Sequence, residues 1–457
     1  MSWMGGAVGR QASNQPRLLQ AVGDAFAQPD IRRKLLFTLA MLVVFRFVAH
    51  LPVPNIDGNV LDQIFKDSTI LGFLNIFSGG ALQNMSIAAL GVYPYVTSSI
   101  VMQLLVPLIP SLQALSKEGE QGRRQIQIYT YWLAVPMAIV QGYGQLFLIQ
   151  QLGGITGIGL TGSDFLPTVS AIASLTAGTM FLVWIGDLIT EGGIGNGISI
   201  IIVGGIIAGL PVTVGREVYT STDVGSIVVM GIIALVLIYL IVLFQEAQRR
   251  IPVQYARSLF RGGRMYRQSG QTHIPLRINS AGMIPLIFAF SIMIFPSYFA
   301  SILAESETGW IASFAETIRD VFDPGEGLYW AILFVMVVVF TFFYTIVVFQ
   351  QQNLAENLQR QGGFIPGIRP GRPTAEYLTR VIVRITWAGA IFLGLVAIVP
   401  FLASAITGDG SLSLNGTSAT SLGISSTGLL IVVAVILDTM RQLESQLLMR
   451  RYEGFIR

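Results

Sequence analysis

The sequence has 457 residues, of which 53% are hydrophobic and only 12% charged, with a mean hydropathy of +0.65 and a net charge of +3. Soluble domains typically carry about 25% charged residues, so this composition excludes a single soluble core and indicates a protein that faces lipid. The lack of cysteine excludes disulfides and thiolate metal sites, and the two histidines, His50 and His273, are too few for a histidine-rich site. No metal or other cofactor is expected.

Ten stretches of about 20 apolar residues are long enough to cross roughly 30 Å of hydrocarbon. They predict an all-α membrane protein with ten transmembrane helices. Residues 1–30 are polar and lack the apolar core and cleavage site of a signal peptide, so the first span is expected to insert the chain. The predicted spans are 33–51, 85–106, 128–150, 168–190, 195–214, 225–245, 278–303, 328–349, 382–406 and 422–440.

The distribution of positive charge predicts the orientation of the chain. If the N-terminus is cytoplasmic, 24 of the 28 Lys and Arg residues lie on the cytoplasmic side. Only Lys66, Arg216 and Arg319 then lie outside, and Arg46 lies within the first span. Because Lys and Arg concentrate in cytoplasmic loops, this asymmetry favours that orientation, and ten spans place both termini in the cytoplasm.

The segment 69–84, between the first two spans, is too short and too polar to cross a membrane. One interpretation is an interfacial, re-entrant or amphipathic loop. The other is a movable stopper, because irregular backbone at membrane depth must be buried in protein or line a cavity. The pair Gly79-Gly80 would supply the flexibility that a stopper needs.

Two predicted cytoplasmic loops are long and rich in arginine. Residues 246–277 carry seven arginines, and residues 350–380 carry four around the Gly/Pro-rich stretch FIPGIRPGRP. Membrane topology accounts for part of this charge, and contact with lipid headgroups for another part. The density of arginine also favours a docking surface for an anionic partner, such as RNA or an acidic protein face.

The predicted spans are almost free of ionisable residues. Arg46, Asp187 and Asp438 lie toward span ends, where snorkelling or pairing accounts for them. A secondary transporter would be expected to carry ionisable groups near the midplane and a saturable small-molecule site. No HExxH, GxSxG or paired-aspartate pattern of an intramembrane enzyme occurs, and such an enzyme would lose turnover when one polar residue is changed. The pairs Val92/Val96 and Ile198/Ile202 each share a helix face, a pattern that fits lipid-facing, packing and pore-lining positions alike.

Seven long stretches of the chain carry a family resemblance. They are NIFSGGALQNMSIAALGVYPYVTSSIVMQLL (75–105), KEGEQGRRQIQIYT (117–130), ITEGGIGNGISIIIVGGIIAGLP (189–211), QRRIPVQYA (248–256), INSAGMIPLIFA (278–289), GGFIPGIRPG (362–371) and GLLIVVAVILDT (428–439). In sequence and order they resemble the SecY family, the central subunit of the bacterial protein-conducting channel. Chance similarity does not account for several long motifs in one order.

The resemblance implies two pseudo-symmetric halves of five helices around a central pore. The N-terminal half would cover 33–214 and include a plug at 70–84, and the C-terminal half would cover 215–440 with the cytoplasmic loops 246–277 and 350–380. Cytoplasmic segments 1–32 and 441–457 would flank them. The implied function is a channel, not an enzyme, that moves unfolded preproteins across the bacterial inner membrane and releases signal or membrane helices sideways into it. A plastid relative is the alternative source.

The resemblance also places the family's site residues, motif by motif. Its ring of six aliphatic residues falls on Val92, Val96, Ile198, Ile202, Ile287 and Ile431. The plug includes Ile76, Phe77, Ser78, Gly79 and Gly80. The polar residues of the lateral gate are Thr97, Ser98, Gln103 and Asn279.

The arginine-rich loops match the family's contacts with its cytoplasmic partners. The positions carried over are Arg249, Arg250, Arg257 and Arg369. The chain departs from the family pattern between Tyr255 and His273, so no role is carried over to Arg261, Arg264 and Arg267. The implied partners are the small subunits SecE and SecG, the SecA motor, the ribosome with its RNA, preproteins bearing signal sequences, and membrane lipids.

Overall fold

The computed structural model describes residues 28–54, 78–151, 158–159, 162–220, 224–261, 264–279, 282, 284–303, 309–322, 327–407 and 419–453. The chain is mostly helical, as predicted. Its helices are α1 (Pro29–Val48), α2 (Tyr93–Leu108), α3 (Pro110–Lys117), α4 (Glu120–Gln151), α5 (Phe165–Gly192), α6 (Gly197–Thr220), α7 (Val224–Glu246), α8 (Ile284–Leu303), α9 (Gly309–Val321), α10 (Gly327–Gln352), α11 (Leu354–Arg360), α12 (Arg372–Thr407) and α13 (Ala419–Glu453). Its strands are β1 (Gln248–Arg261), β2 (Arg264–Arg277) and β3 (Gly363–Phe364), and a short 3-10 helix covers Gly162–Asp164.

A long helix overlaps each of the ten predicted spans. Among the described helices, four have the length and apolar composition to cross a membrane: α4, α5, α10 with its continuation to Arg360, and α12. A fifth is α2 with α3, if the 99° bend between them is a break within one span. The full count of ten membrane crossings therefore stays a prediction.

The second span begins later than predicted. Helix α2 starts at Tyr93, not at residue 85, because the preceding residues form consecutive turns. Met85 and Gly91 have φ values of 41° and 57°, which no α-helix contains. Pro94 then lies in the first turn of α2, where its missing N–H costs no helical hydrogen bond.

The prediction of an all-α chain missed a three-stranded sheet. Strands β1 and β2 form an antiparallel hairpin with Gln248 opposite Arg277, and β3 pairs with the other edge of β1, with Gln254 opposite Phe364. Successive side chains of a strand point to opposite faces of the sheet. The sequence of β1 fits this pattern, because Ile251 and Val253 are buried while Pro252 between them is exposed. The two arginine-rich loops are therefore parts of one sheet rather than independent loops.

The helices pack in two groups that follow chain order. The first group is α1, α2, α4, α5 and α6, and the second is α7, α8, α10, α12 and α13. Helix α8 contacts both α2 and α4, and α13 contacts α6, so these pairs join the groups. The largest apolar cluster draws buried residues from both groups and lies where they meet. Helix α13 runs through the boundary predicted at residue 440.

Candidate functional site

All six predicted ring residues belong to the largest apolar cluster, together with many other core residues of both helix groups. Val92, which immediately precedes α2, is buried there with Ile202 of α6, Ile287 of α8 and Ile431 of α13. Val96 and Ile198 are partly buried and pack against the same cluster. Both helix groups thus contribute to it. Whether the six residues encircle a pore stays a prediction.

A close approach of two helices positions Ile198. Gly186 lies on α5 opposite this side chain, and a Cβ atom at Gly186 would stand 2.5 Å from Cδ1 of Ile198. A Cβ at Gly197 would in turn lie 1.8 Å from the carbonyl oxygen of Gly186. At Gly197 only glycine permits this approach, because the atom that a Cβ would meet belongs to the backbone. Gly197, the first residue of α6, therefore lets the start of α6 lie against Gly186 of α5, next to Ile198.

The predicted plug is described only at its C-terminal end. Ile76 and Phe77 lie outside the described residues, whereas Ser78 and Gly79 are buried and Gly80 is half-buried. The Ser78 hydroxyl accepts a hydrogen bond of 3.1 Å from the backbone N–H of Leu82. The carbonyl oxygen of Gly79 accepts one of 2.6 Å from Nη1 of Arg46 on α1. The described end of the segment is thus tied to α1 by the hydrogen bond between Arg46 and Gly79.

The predicted gate residues each have identifiable hydrogen bonds. Thr97 and Ser98 are buried on α2 and donate to the carbonyl oxygens of Tyr93 and Pro94, one turn earlier. The amide of Gln103 donates to the hydroxyl of Ser99 at 3.2 Å. Within the described ranges, the bonds of these side chains stay on α2 or reach α4, and none extends to Asn279.

Asn279 lies in the turn before α8 and is buried. Its amide nitrogen donates to Oε1 of Gln245, at the end of α7, at 2.8 Å, and to the carbonyl oxygen of Gly282 at 3.0 Å. The entry to α8 is therefore tied to the end of α7, at the base of the β1–β2 hairpin.

Two buried glutamines of α4 were not predicted as site residues from the sequence, and one of them bonds to a predicted gate residue. Gln141 of α4 is buried and donates to the hydroxyl of Thr97 at 3.2 Å, and Gln145 is buried one turn further along. In the described part of the chain, Oε1 of Gln141, Nε2 of Gln145 and Oδ1 of Asn279 are buried without a hydrogen-bond partner. Glutamines four residues apart within an apolar stretch were the signal that could have identified them.

The predicted docking arginines lie on the sheet and its neighbouring turn. Arg249 and Arg250 are exposed on β1, and Arg369 is exposed between β3 and α12. The hydroxyl of Thr374 donates to the carbonyl oxygen of Arg369 at 2.8 Å and holds that turn. Arg257 lies on β1, where its backbone alone is described.

A cluster of charges occupies the base of the hairpin. Nη2 of Arg441 on α13 contacts Oε1 of Glu246 at 2.6 Å and the carbonyl oxygen of Gln245 at 3.1 Å. Burial lowers the pKa of Arg277, and the charge of Arg441 lowers it further, whereas Asp438 and Glu246 oppose that change. These contacts connect α13 to the C-terminal end of α7, just before the sheet begins. Over the described residues, no group of three or more His, Asp or Glu side chains is placed to hold a metal ion.

Sequence comparison decides the family. The SecY family profile matches residues 86–440. The chain is also 40% identical over 454 residues to the protein translocase subunit SecY of Streptomyces scabiei, which covers 96% of this chain and 100% of that protein. The chain belongs to the SecY family. SecY proteins form translocation channels and are not enzymes.

Other SecY relatives and solved channels agree with this assignment. The SecY of Halalkalibacterium halodurans is 40% identical over 96% of this chain and 100% of its own length, and that of Thermotoga maritima 38% over 96% and 98%. A solved protein-conducting channel superposes with a TM-score of 0.60 at 15% identity, covering 93% of this chain and 96% of that one. Sec61 from a canine ribosome-channel complex gives a TM-score of 0.58 at 15% identity, with the same coverage. At these identities the likeness establishes the shared fold.

Proposed function

We propose that this chain is the protein-conducting channel of a bacterial inner membrane. It moves unfolded preproteins across the membrane and releases signal or membrane helices sideways into the lipid. The observation that carries the proposal is that all six aliphatic side chains, drawn from both helix groups, belong to the large apolar cluster where the two groups meet. Such a constriction makes no fixed hydrogen bonds, so it can close around any passing side chain and exclude ions by dewetting.

In the proposed arrangement the ten long helices all cross the membrane, and both termini are cytoplasmic. The two helix groups correspond to two pseudo-symmetric halves with the pore between them. The bias of Lys and Arg toward one side supports this orientation. The arginine-bearing sheet then faces the cytoplasm.

The sideways exit lies between α2 and α8. These helices touch each other, and α8 also contacts α4, so the seam joins the two helix groups. Gln141, which bonds to α2, and Asn279, which precedes α8, each have a buried side-chain oxygen without a hydrogen-bond partner among the described residues. Polar contacts within membranes contribute only about 0.6–2 kcal/mol each, which suits a seam that an apolar signal helix must open.

The plug covers 70–84 and closes the resting channel on its outer side. Support comes from its C-terminal end, where Ser78 and Gly79 are buried and Gly79 lies against α1 and α6. Displacement of this segment would open the path.

The cytoplasmic sheet is the proposed docking face for the machines that drive transport. Exposed Arg249, Arg250 and Arg369, together with Arg257, offer positive charge to the SecA motor and to ribosomal RNA. The canine Sec61 relative was solved in a ribosome complex, which supports a ribosome partner here. SecE and SecG complete the proposed channel, and anionic lipids surround it.

A cysteine crosslink tests the path directly, because the native chain contains no cysteine. Ile287→Cys is reconstituted in vesicles with SecE and SecG, and a cysteine-bearing preprotein is stalled during export. A disulfide that requires the signal sequence, SecA and ATP is expected. The matched control is Ile436→Cys on α13, a position that is 46% exposed on the outside of the fold. Export without a crosslink at Ile287, or equal crosslinking at Ile436, would place the path elsewhere.

A further inference from the structure

Arg46 is a charged residue within the first predicted span. A charge inside a membrane is costly, and such residues usually pair or line a functional path. In the structure the Arg46 side chain is half-buried on α1. Among the described residues the ion pairs lie at Arg360, Arg372 and Arg441, so Arg46 has no carboxylate partner there.

The partner of Arg46 is a backbone carbonyl from a distant segment. Its Nη1 atom donates to the carbonyl oxygen of Gly79 at 2.6 Å, across 33 residues of sequence. A hydrogen bond from a charged donor is short and roughly twice as strong as a neutral one. This bond joins α1 to the described end of the plug segment.

The backbone conformation of Gly79 determines the direction of that carbonyl group. Its φ is +69°, a value that favours glycine, and a Cβ atom there would lie 2.5 Å from Cα of Gly205 on α6. The same atom would lie 3.2 Å from the ring of Phe45, which precedes Arg46 on α1. The backbone at Gly79 is therefore wedged between α1 and α6, and its carbonyl is presented to the guanidinium.

We propose that Arg46 is the residue that latches the plug in the resting channel. The proposal rests on the proposed channel function and adds the chemistry that retains the plug. Gly79 is buried and Arg46 is half-buried, so the bond between them is partly shielded from water, where a charge-assisted hydrogen bond is stronger than in bulk water. When the channel opens, entering water replaces the carbonyl as acceptor, so the same latch is weak once the plug has moved.

The latch is tested by the resting ion conductance of the complex with SecE and SecG in vesicles, without preprotein. Arg46→Met removes the donor while retaining an apolar chain, and a rise in conductance of about tenfold to a hundredfold is expected. Arg46→Lys keeps a charged donor and is expected to restore most of the seal. Arg33→Met, at an exposed position on the same helix, is the matched control and should conduct like the parent.

A double-mutant cycle establishes that Arg46 acts through Gly79. Gly79→Ala moves the acceptor, so adding Arg46→Met to it should raise conductance by less than the product of the two single effects. Multiplicative effects, or parental conductance in Arg46→Met, would overturn the latch. Should Arg46→Met fail to assemble, Arg46→Gln takes its place with the same expectation.

The outcomes also separate the latch from the channel function itself. Preprotein export is measured in the same vesicles with the parent chain. Export by the parent with an unchanged seal in the Arg46 variants overturns the latch and leaves the channel function in place. Absence of export by the parent overturns the proposed function, whatever Arg46 does to conductance.

Discussion

The hydroxyl of Tyr131 on α4 donates a hydrogen bond of 2.8 Å to Oδ2 of Asp187 on α5. The Tyr131 ring also stacks on Tyr95 of α2, with the ring centroids 5.7 Å apart. The Asp187 carboxylate on α5 thus has a hydrogen-bond donor on the neighbouring helix. This contact links three helices of the first group and explains how α5 accommodates an ionisable residue.

Loss of the Tyr131 hydroxyl should lower the stability of the first helix group. Tyr131→Phe leaves the Asp187 carboxylate without its donor, and we expect a loss of about 0.6–2 kcal/mol, the range for polar contacts within membranes. Thermal unfolding of the purified complex in detergent measures the effect. Tyr129→Phe is the control, because Tyr129 is exposed on the same helix. Equal melting temperatures for the two variants would contradict a stabilising role for this bond.

Gly178 on α5 should tolerate no side chain. A Cβ atom there would lie 1.9 Å from the carbonyl oxygen of Ile87, in the turns that precede α2. Gly178→Ala must displace backbone, and we expect destabilisation of about 1–3 kcal/mol in the same unfolding measurement.

Gly209 on α6 provides the comparison for Gly178. A Cβ atom at Gly209 meets nothing within 4 Å, and alanine favours a helix by about 1 kcal/mol over glycine. Gly209→Ala should therefore be neutral or stabilising. A destabilised Gly209→Ala variant would mean that the helical backbone, and not the close approach at Gly178, explains the sensitivity of these glycines.

The proposed ring predicts an ion leak when its side chains are shortened. Replacing Val92, Val96, Ile198 and Ile202 together with glycine removes four of the six aliphatic groups, so water can wet the constriction. The expected result is a higher conductance of the resting complex in a planar bilayer. Ile232→Gly and Ile436→Gly, at exposed positions on α7 and α13, serve as controls. A higher conductance in these controls, without one in the variant with four glycines, would indicate that ions cross beside lipid-facing side chains and not through the ring.

Charge reversal at Arg369 should uncouple the motor from the channel. Arg369→Glu places a negative charge where a positive one is exposed, and we expect SecA-driven export to fall at least about tenfold, equivalent to roughly 1.4 kcal/mol. Export per inserted channel is measured, with insertion of the chain itself expected to remain normal. Normal ATP-dependent export in this variant would count against the docking face.

Arg372→Glu is the matched control for Arg369→Glu. The Arg372 side chain is 91% exposed, and its ion pair with Glu376 is also exposed. Such surface pairs contribute about 0–1 kcal/mol, so its loss should not disturb the fold. A similar defect in both variants would indicate a general effect of net charge rather than a contact at Arg369.

Sequence patterns located most helices but missed two local features. The start of α2 was placed too early because apolar residues continue through 85–92, and hydropathy does not register the φ values of Met85 and Gly91. The hairpin was missed because arginines dominate residues 246–277. The alternation of buried Ile251 and Val253 was the signal that indicated a strand.

The membrane class, the helical segments and the family could be predicted from the residues alone, because hydropathy and long motifs are local properties of the chain. Which distant residues contact each other became clear from the folded arrangement. The contact of Arg46 with Gly79, the pairing of Gln141 with Thr97 and the joining of both loops in one sheet depend on close backbone approach. Such contacts depend on where glycines and turns let helices approach one another. The spacing of residues within one segment does not predict that geometry.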